Sequence, residues 1–245
     1  MIGLGTIINT IGIIVGGLLG LLFGRFLKER HQDTIIKACG LGVIFIGIAG
    51  AISGMIKIED GKLITINSLV VCVSLALGAL LGEIINFEGL FQKFGEWLKR
   101  KTKSENDNNF VNGFLTASLT VSIGAMAVIG SIEDAINHNY SILITKTIID
   151  FFTIMILTSS MGKGCIFSSI SVFLVQGLFT ALSVVIKPIM NDSALSLLSL
   201  VGSILIFGVG VNLVFGKKIR VANLLPSIIF AVGFSYLLPY IEGIL

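Results

Sequence analysis

The sequence predicts an all-α fold: a polytopic membrane bundle of about eight transmembrane helices with one amphipathic helix at the cytoplasmic interface. Three observations predict it. Of the 245 residues 54% are hydrophobic and only 13% charged, about half the usual charge of a soluble domain. Mean hydropathy is +1.00, and a wetted surface cannot be built from so few polar groups. The apolar residues lie in long unbroken runs close to the ~20 residues a membrane helix needs. Alternating strands of about ten residues, the mark of a membrane barrel, are missing. Together these exclude intrinsic disorder, a collagen-like repeat, a disulfide-rich secreted domain and a nucleic-acid-binding module.

The chain reads as a single membrane domain, 1–245, with spans at 3–24, 37–56, 64–86, 110–132, 141–161, 165–186, 195–215 and 222–241. The first is expected to stay as a helix rather than be cleaved, because its first charge, Arg25, follows the apolar stretch. Between spans five and six, Met161-Gly162-Lys163-Gly164 serves as the whole turn. Alternate connectors hold Arg25, Lys28, Arg30 and Lys37; Lys93, Lys99, Arg100, Lys101 and Lys103; Lys163; and Lys217, Lys218 and Arg220. The other connectors hold only Lys57, Lys62 and Lys187. Thirteen cations against three place the first set in the cytoplasm and both termini outside.

Between spans three and four, residues 87–100 repeat Phe87, Leu90, Phe91, Phe94, Trp97 and Leu98 at helical spacing, with Glu88, Lys93, Glu96, Lys99 and Arg100 on the other face. That pattern predicts an amphipathic helix in the cytoplasmic interface, anchored to the lipid bilayer; a docking surface for a partner is the alternative. Residues 101–109 follow as a polar, flexible cytoplasmic linker.

Glycine is abundant, 29 of 245 residues. Gly12, Gly16, Gly20 and Gly24 fall four apart on one face of span one; Gly50 and Gly54 mark span two, and Ser74, Gly78 and Gly82 span three. In lipid, such small residues allow the close backbone approach that holds helices together. The partner helix belongs to the same chain or to another copy, as in a homo-oligomer. Gly16-Gly17-Leu18-Leu19-Gly20 matches Gly78-Ala79-Leu80-Leu81-Gly82 at an offset of 62, so spans 1–2 and 3–4 read as two hairpins of one orientation. A weaker echo links Ile123-Gly124 through Gly130 with Val201-Gly202 through Gly208. Those spans run in opposite directions, as in the inverted repeats of secondary transporters, though glycine-rich helices also resemble one another by chance.

Ionisable residues inside a span are costly and point to function. Lys146 and Asp150, four apart in span five, share a face and can pair; the pair is either a packing device or a polar step on a solute or proton path. Glu133 and Asp134, at the outer end of span four, either attract a cation at the outer mouth or are solvated acids. Glu83 closes span three. Asn9, Thr116, Ser118, Thr120, Ser122, Gln176 and Asn212 read mostly as interhelical hydrogen-bonding groups. The spacing Thr116–Thr120–Gly124 gives span four a small, polar face suited to a cavity. Pro226, after Asn223, leaves a carbonyl free early in span eight.

Catalytic, cofactor and metal motifs are missing. His31 and His138 lie in connectors on opposite sides, and no HExxH, GxSxG, P-loop or dinucleotide fingerprint occurs. Cys39, Cys72 and Cys165 stand alone in apolar runs, without a CxxC pair. An enzyme is therefore not expected, and no cofactor or metal.

Several blocks carry a family resemblance: Gly-Thr-Ile-Ile-Asn-Thr at 5–10, Gly-Glu at 82–83, Phe-Glu-Gly-Leu at 87–90, Gly-Glu-Trp-Leu-Lys at 95–99 and Gly-Phe-Leu-Thr-Ala-Ser-Leu at 113–119. Gly-Ala-Met-Ala-Val-Ile-Gly-Ser-Ile-Glu-Asp at 124–134 and Lys-Ile-Arg-Val-Ala-Asn-Leu-Leu-Pro at 218–226 are the most specific. Over nearly its whole length the chain resembles the YdfK/YqgA-like bacterial inner-membrane proteins, a family of unknown function. The resemblance implies a bacterial cytoplasmic-membrane protein and makes Asn9, Glu83, Glu133, Asp134, Asn223 and Pro226 candidate positions. It implies no substrate and no catalytic residue.

Two functions follow. The first is a transporter or channel for a small solute or ion, with a path between spans four, five and seven drawn from Lys146, Asp150, Glu133, Asp134, Asn212, Thr116 and Thr120. The second is a non-transporting scaffold or regulatory subunit, binding partners through the glycine face of span one and the 87–100 helix.

Overall fold

The computed structural model describes residues 2–24, 26, 28–122 and 125–242; Arg25, Ile123, Gly124 and the Cys39 side chain, named above, lie outside the described part. The chain forms helices α1 (Leu4–Gly24), α2 (Glu29–Met55), α3 (Ser68–Ile85), α4 (Phe87–Lys101), α5 (Phe110–Ser122), α6 (Ala125–Asn137), α7 (Ser141–Met161), α8 (Ser168–Ala181), α9 (Ser183–Ile186), α10 (Asp192–Phe215) and α11 (Pro226–Glu242). Among the described residues six helices are long and apolar enough to cross a membrane, and a seventh crossing results if α5 and α6 count as one broken span. The expected eighth is represented by a shorter apolar stretch, Val221–Leu237, so the count of eight is not reached by length and composition.

Three expectations are corrected. Span three does not start at residue 64, because Ile56–Glu59 and Lys62–Thr65 pair as an antiparallel hairpin β1–β2. Asp60 and Gly61 both take positive φ at its tip, the Asp-Gly turn that matches strand twist. Span four is not continuous: its two halves meet at 61°. Pro226 does not interrupt span eight but stands first in α11, where a missing N–H costs no helical hydrogen bond. The expected 161–164 turn is observed, with Gly162 at φ +82° ending α7 and a 3-10 turn over Lys163–Phe167 leading into α8.

Asn86 fixes the corner between α3 and α4. In the left-handed conformation it closes α3, and its side chain accepts a hydrogen bond from Gly89 N, 3.1 Å away, to open α4. The amphipathic helix is present as expected, but its apolar stripe is covered by protein: Phe91, Phe94 and Leu98 pack on Phe110, Phe114 and Leu115, while Leu90 and Trp97 stay outward. The segment after Lys101 is tied into turns, with Thr102 Oγ1 donating to Leu98 O and Ser104 N to Lys99 O.

The glycine faces are used within the chain. Along α1, Gly12, Gly16, Gly20 and Gly24 meet Thr147, Phe151, Met155 and Ser159 in turn, so α1 and α7 run parallel with backbones nearly touching. A Cβ on Gly16 would stand 2.4 Å from the Phe151 carbonyl oxygen. Gly47, Gly50 and Gly54 of α2 meet Phe207, Ser203 and Leu200 of α10, running antiparallel. Gly78 and Gly82 of α3 lie against Ser227 and Asn223 at the start of α11. The two matching glycine blocks thus do the same job against different partners, one parallel and one antiparallel.

These contacts divide the bundle. One group comprises α1, α5, α6, α7 and α8, the other α2, α3, α10 and α11. The groups meet where α2 crosses α7 and where α10 touches α5 and α6. Helix α4 bridges them, packing on α5 and on the turn before α11.

Candidate functional site

Two cavities lie along the seam between the groups, and α5 lines both. The first, about 240 Å³, sits at the end of the bundle that holds the basic connectors. From α5 it takes Asn112, Leu115, Thr116 and Leu119; from α7, Met161; from α10, Val209, Asn212 and Leu213. Glu88 and Lys217 complete its polar rim as an ion pair. The second cavity, about 200 Å³, lies further along α5. Ser118, Leu119 and Ser122 of α5 face Ser171, Val175 and Phe179 of α8, with Val128, Leu198, Leu225, Ile228 and Phe91 closing it. Leu119, nearly buried, is shared by both and separates them.

The lining of α5 follows helical periodicity. Positions 112, 115, 116, 119 and 122 recur at three- and four-residue steps and face the seam. Positions pointing elsewhere are packed: Gly113 meets Cys165, Phe114 stacks edge-on with Phe94, and Ala117 is fully buried.

The connector between α10 and α11 is latched over the first cavity. The Asn212 amide donates to Ile219 O at 2.7 Å, and its oxygen accepts from Lys218 N and Ile219 N. Asn223 Oδ1 accepts from Glu88 N at 2.7 Å, and Arg220 donates to Glu83 at 2.9 Å. Asn212 therefore reaches the cavity as a wall whose polar atoms are spent on the connector.

The second feature is the broken span itself. Lys146 and Asp150 form the ion pair expected from their spacing, both buried. Asn9 Nδ2 donates to Asp150 at 3.1 Å, and Lys146 Nζ donates to the Val121 carbonyl at 2.7 Å. Val121 stands one residue before Ser122, the last described residue of α5. Lys146 therefore ties α7 to the last described turn of α5, Asp150 balances its charge, and Asn9 ties both to α1. Within this cluster Asn9 Oδ1 has no hydrogen-bond partner among the described residues.

The predicted path residues are not brought together. Thr116 and Asn212 line the first cavity. Thr120 lines neither cavity and donates back to Thr116 O. Lys146 and Asp150 also line neither. Glu133 and Asp134 do not act as a pair: adjacent helical residues diverge by about 100°. Glu133 accepts from Asn137, whereas Asp134 is fully buried and accepts from Gly5 N at 2.9 Å. Asp134 thus places a carboxylate on the first turn of α1, where the helix dipole favours it. Among the described residues no cluster of three or more His, Cys, Asp or Glu could hold a metal ion.

Sequence reasoning missed Asn112, Leu119, Lys217 and the role of Glu88. Glu88 carried a weak signal: it is an acid in a segment whose other charges are mostly basic.

In comparison with known proteins, residues 4–236 match the family described as Protein of unknown function (DUF554). The chain is 33% identical over 225 residues to Uncharacterized membrane protein YdfK of Bacillus subtilis (strain 168), covering 92% of both chains. It is 26% identical over 236 residues to Uncharacterized protein YqgA of Escherichia coli (strain K12), covering 95% of this chain and 96% of that one. No solved structure matches.

Proposed function

Since the chain belongs to the DUF554 family of membrane proteins of unknown function, we propose that it is a transport protein carrying a small solute along the seam between its two helix groups. The observation that carries this reading is the pair of cavities stacked on α5 with Leu119 between them. Transporters work by moving one helix group against another around a site lined by broken helices, and irregular backbone at membrane depth is tolerated only against protein or a cavity. The first cavity is the vestibule on the cytoplasmic side and the second the inner site. The Asn9–Asp150–Lys146 cluster fixes the break in span four and couples α1, α5 and α7, so motion at the break is felt in all three. The protein sits in the bacterial cytoplasmic membrane with both termini outside.

The scaffold reading is less well supported, because the two surfaces it needs are occupied. The α1 glycine face is packed on α7, and much of the α4 apolar stripe on α5.

Purified protein reconstituted in liposomes tests the proposal against a panel of labelled small polar solutes, amphiphiles and monovalent ions. We expect protein-dependent flux of at least one of them, stopped by Leu119→Trp, which fills the constriction. A panel without protein-dependent flux, from protein that keeps its fold, contradicts it.

A further inference from the structure

We infer that the inner cavity is a binding site for a small neutral molecule with one hydrogen-bonding end and an apolar body, about the size of a monocyclic phenol. The inference names a solute class for the transport proposal and rests on that reading for the occupant being cargo.

Charge is excluded by the walls. Among the described residues no ionisable side chain lines this cavity, and an ion brought there would lose its hydration without a partner. The vestibule is different, with Glu88 and Lys217 on its rim. A solute moving inward from there leaves charged groups behind, and the polar side chains it meets among the described residues are serines.

Those hydroxyls are gathered on one side. Helices α5 and α8 run parallel here, since Gly113 meets Cys165 and Ser118 meets Ser171. The Ser118 and Ser171 oxygens are 2.9 Å apart and share one hydrogen; the pair retains a second O–H and free lone pairs. One turn on, Ser122 Oγ is shielded from solvent and has no partner within the protein. A buried hydroxyl left so is unfavourable; a turn of the Ser122 side chain toward the cavity that it lines lets an occupant's hydroxyl or carbonyl group satisfy it. The opposite side is aliphatic, with Leu198 of α10 and Ile228 of α11, and Phe179 closes the far end of the α8 face.

Size sets the body. The cavity holds about 200 Å³, and an apolar cavity of about 150 Å³ accommodates benzene. One ring with one or two small substituents fits. Water alone is a poor occupant, because each molecule needs two to four polar partners and only the serine side offers any.

A diazirine-bearing phenol tests the site by photolabelling the full-length protein in nanodiscs, with labelled residues mapped by mass spectrometry. We expect label on α5 and α8, protected by excess p-cresol but at least tenfold less by toluene or benzoate. Leu198→Trp, which fills the cavity, should abolish the label; Val175→Phe serves as a second filling variant should the first fail to fold. Ser171→Ala should cut the preference for p-cresol over toluene severalfold. Label confined to lipid-facing positions, label unchanged in a folded filling variant, or equal protection by all three compounds overturns the inference. The two readings fail separately. Cavity labelling without flux of any solute removes transport and leaves the site; flux stopped by Leu119→Trp without cavity labelling removes the site and leaves transport.

Discussion

The ammonium of Lys146 donates to the backbone carbonyl of Val121, 2.7 Å away, where the first half of a broken span comes to its end. One side chain thereby binds a backbone carbonyl of α5 inside the bundle and serves as the counter-ion of Asp150. The contact lies beside the bend of 61° between α5 and α6.

Removing one member of the buried pair should therefore harm the protein more than removing both. Lys146→Met leaves Asp150 buried and uncompensated, which costs about 3–5 kcal/mol in comparable cases. Lys146→Met combined with Asp150→Leu should recover most of that loss, read as thermal unfolding in detergent. Asp150→Asn leaves Lys146 without its counter-ion, so it too should lower the unfolding temperature, and flux should fall with it. Full flux in the double variant would reduce the pair to packing.

The glycine contacts predict a graded series. A Cβ on Gly20 would lie 2.3 Å from the Met155 carbonyl oxygen, and one on Gly82 1.7 Å from that of Asn223. Backbone cannot rotate away, so Gly20→Ala and Gly82→Ala should each destabilise by about 1–3 kcal/mol. Gly177, inside α8, has nothing within 4 Å of such a Cβ. Gly177→Ala should be neutral or stabilising by up to about 1 kcal/mol, the helix-propensity difference.

Asp134 and Glu133 should respond differently despite their adjacency. Asp134→Ala removes the acceptor for Gly5 N and should cost about 1 kcal/mol, as the loss of a helix cap does. Asp134→Asn keeps an acceptor without the charge and should fall between. Glu133→Gln, whose partner is Asn137, should leave the melting temperature unchanged. Equal effects at the two positions would count against the cap.

Orientation can be checked in intact cells. With the native cysteines replaced, single cysteines at Lys103 and Lys218 should be shielded from an impermeant thiol reagent added outside, and cysteines at Glu59 and His138 should react. The ion pairs Glu83–Arg220 and Glu88–Lys217 join the α3–α4 corner to the α10–α11 connector, so residues 103 and 218 reporting opposite sides would break the orientation.

The sequence made most of the helices legible because hydropathy and loop charge act locally. The Lys146–Asp150 pair and the glycine faces were legible too, since helical spacing alone decides what can share a face. The partners of those faces were not: nothing in Gly16 says that its neighbour is Phe151 rather than a second copy. The β1–β2 hairpin was hidden because Ile56 and Ile64 extend the neighbouring apolar runs, although Asp60-Gly61 after the alternating Ile56-Lys57-Ile58-Glu59 was a usable sign. The break after Ser122 was masked by unbroken hydropathy. The cavities were out of reach, because Leu119 differs from other leucines only in what faces it across the seam.

A cysteine scan along α5 tests the seam most directly. Single cysteines at positions 112 to 122 of an otherwise cysteine-free protein, reconstituted in vesicles, would be exposed to a small uncharged thiol reagent. If the seam is a solute path, Asn112, Thr116, Leu119 and Ser122 react at least tenfold faster than Gly113, Ala117 and Val121. Uniformly slow reaction beyond Thr116, or rates without helical periodicity, would contradict it.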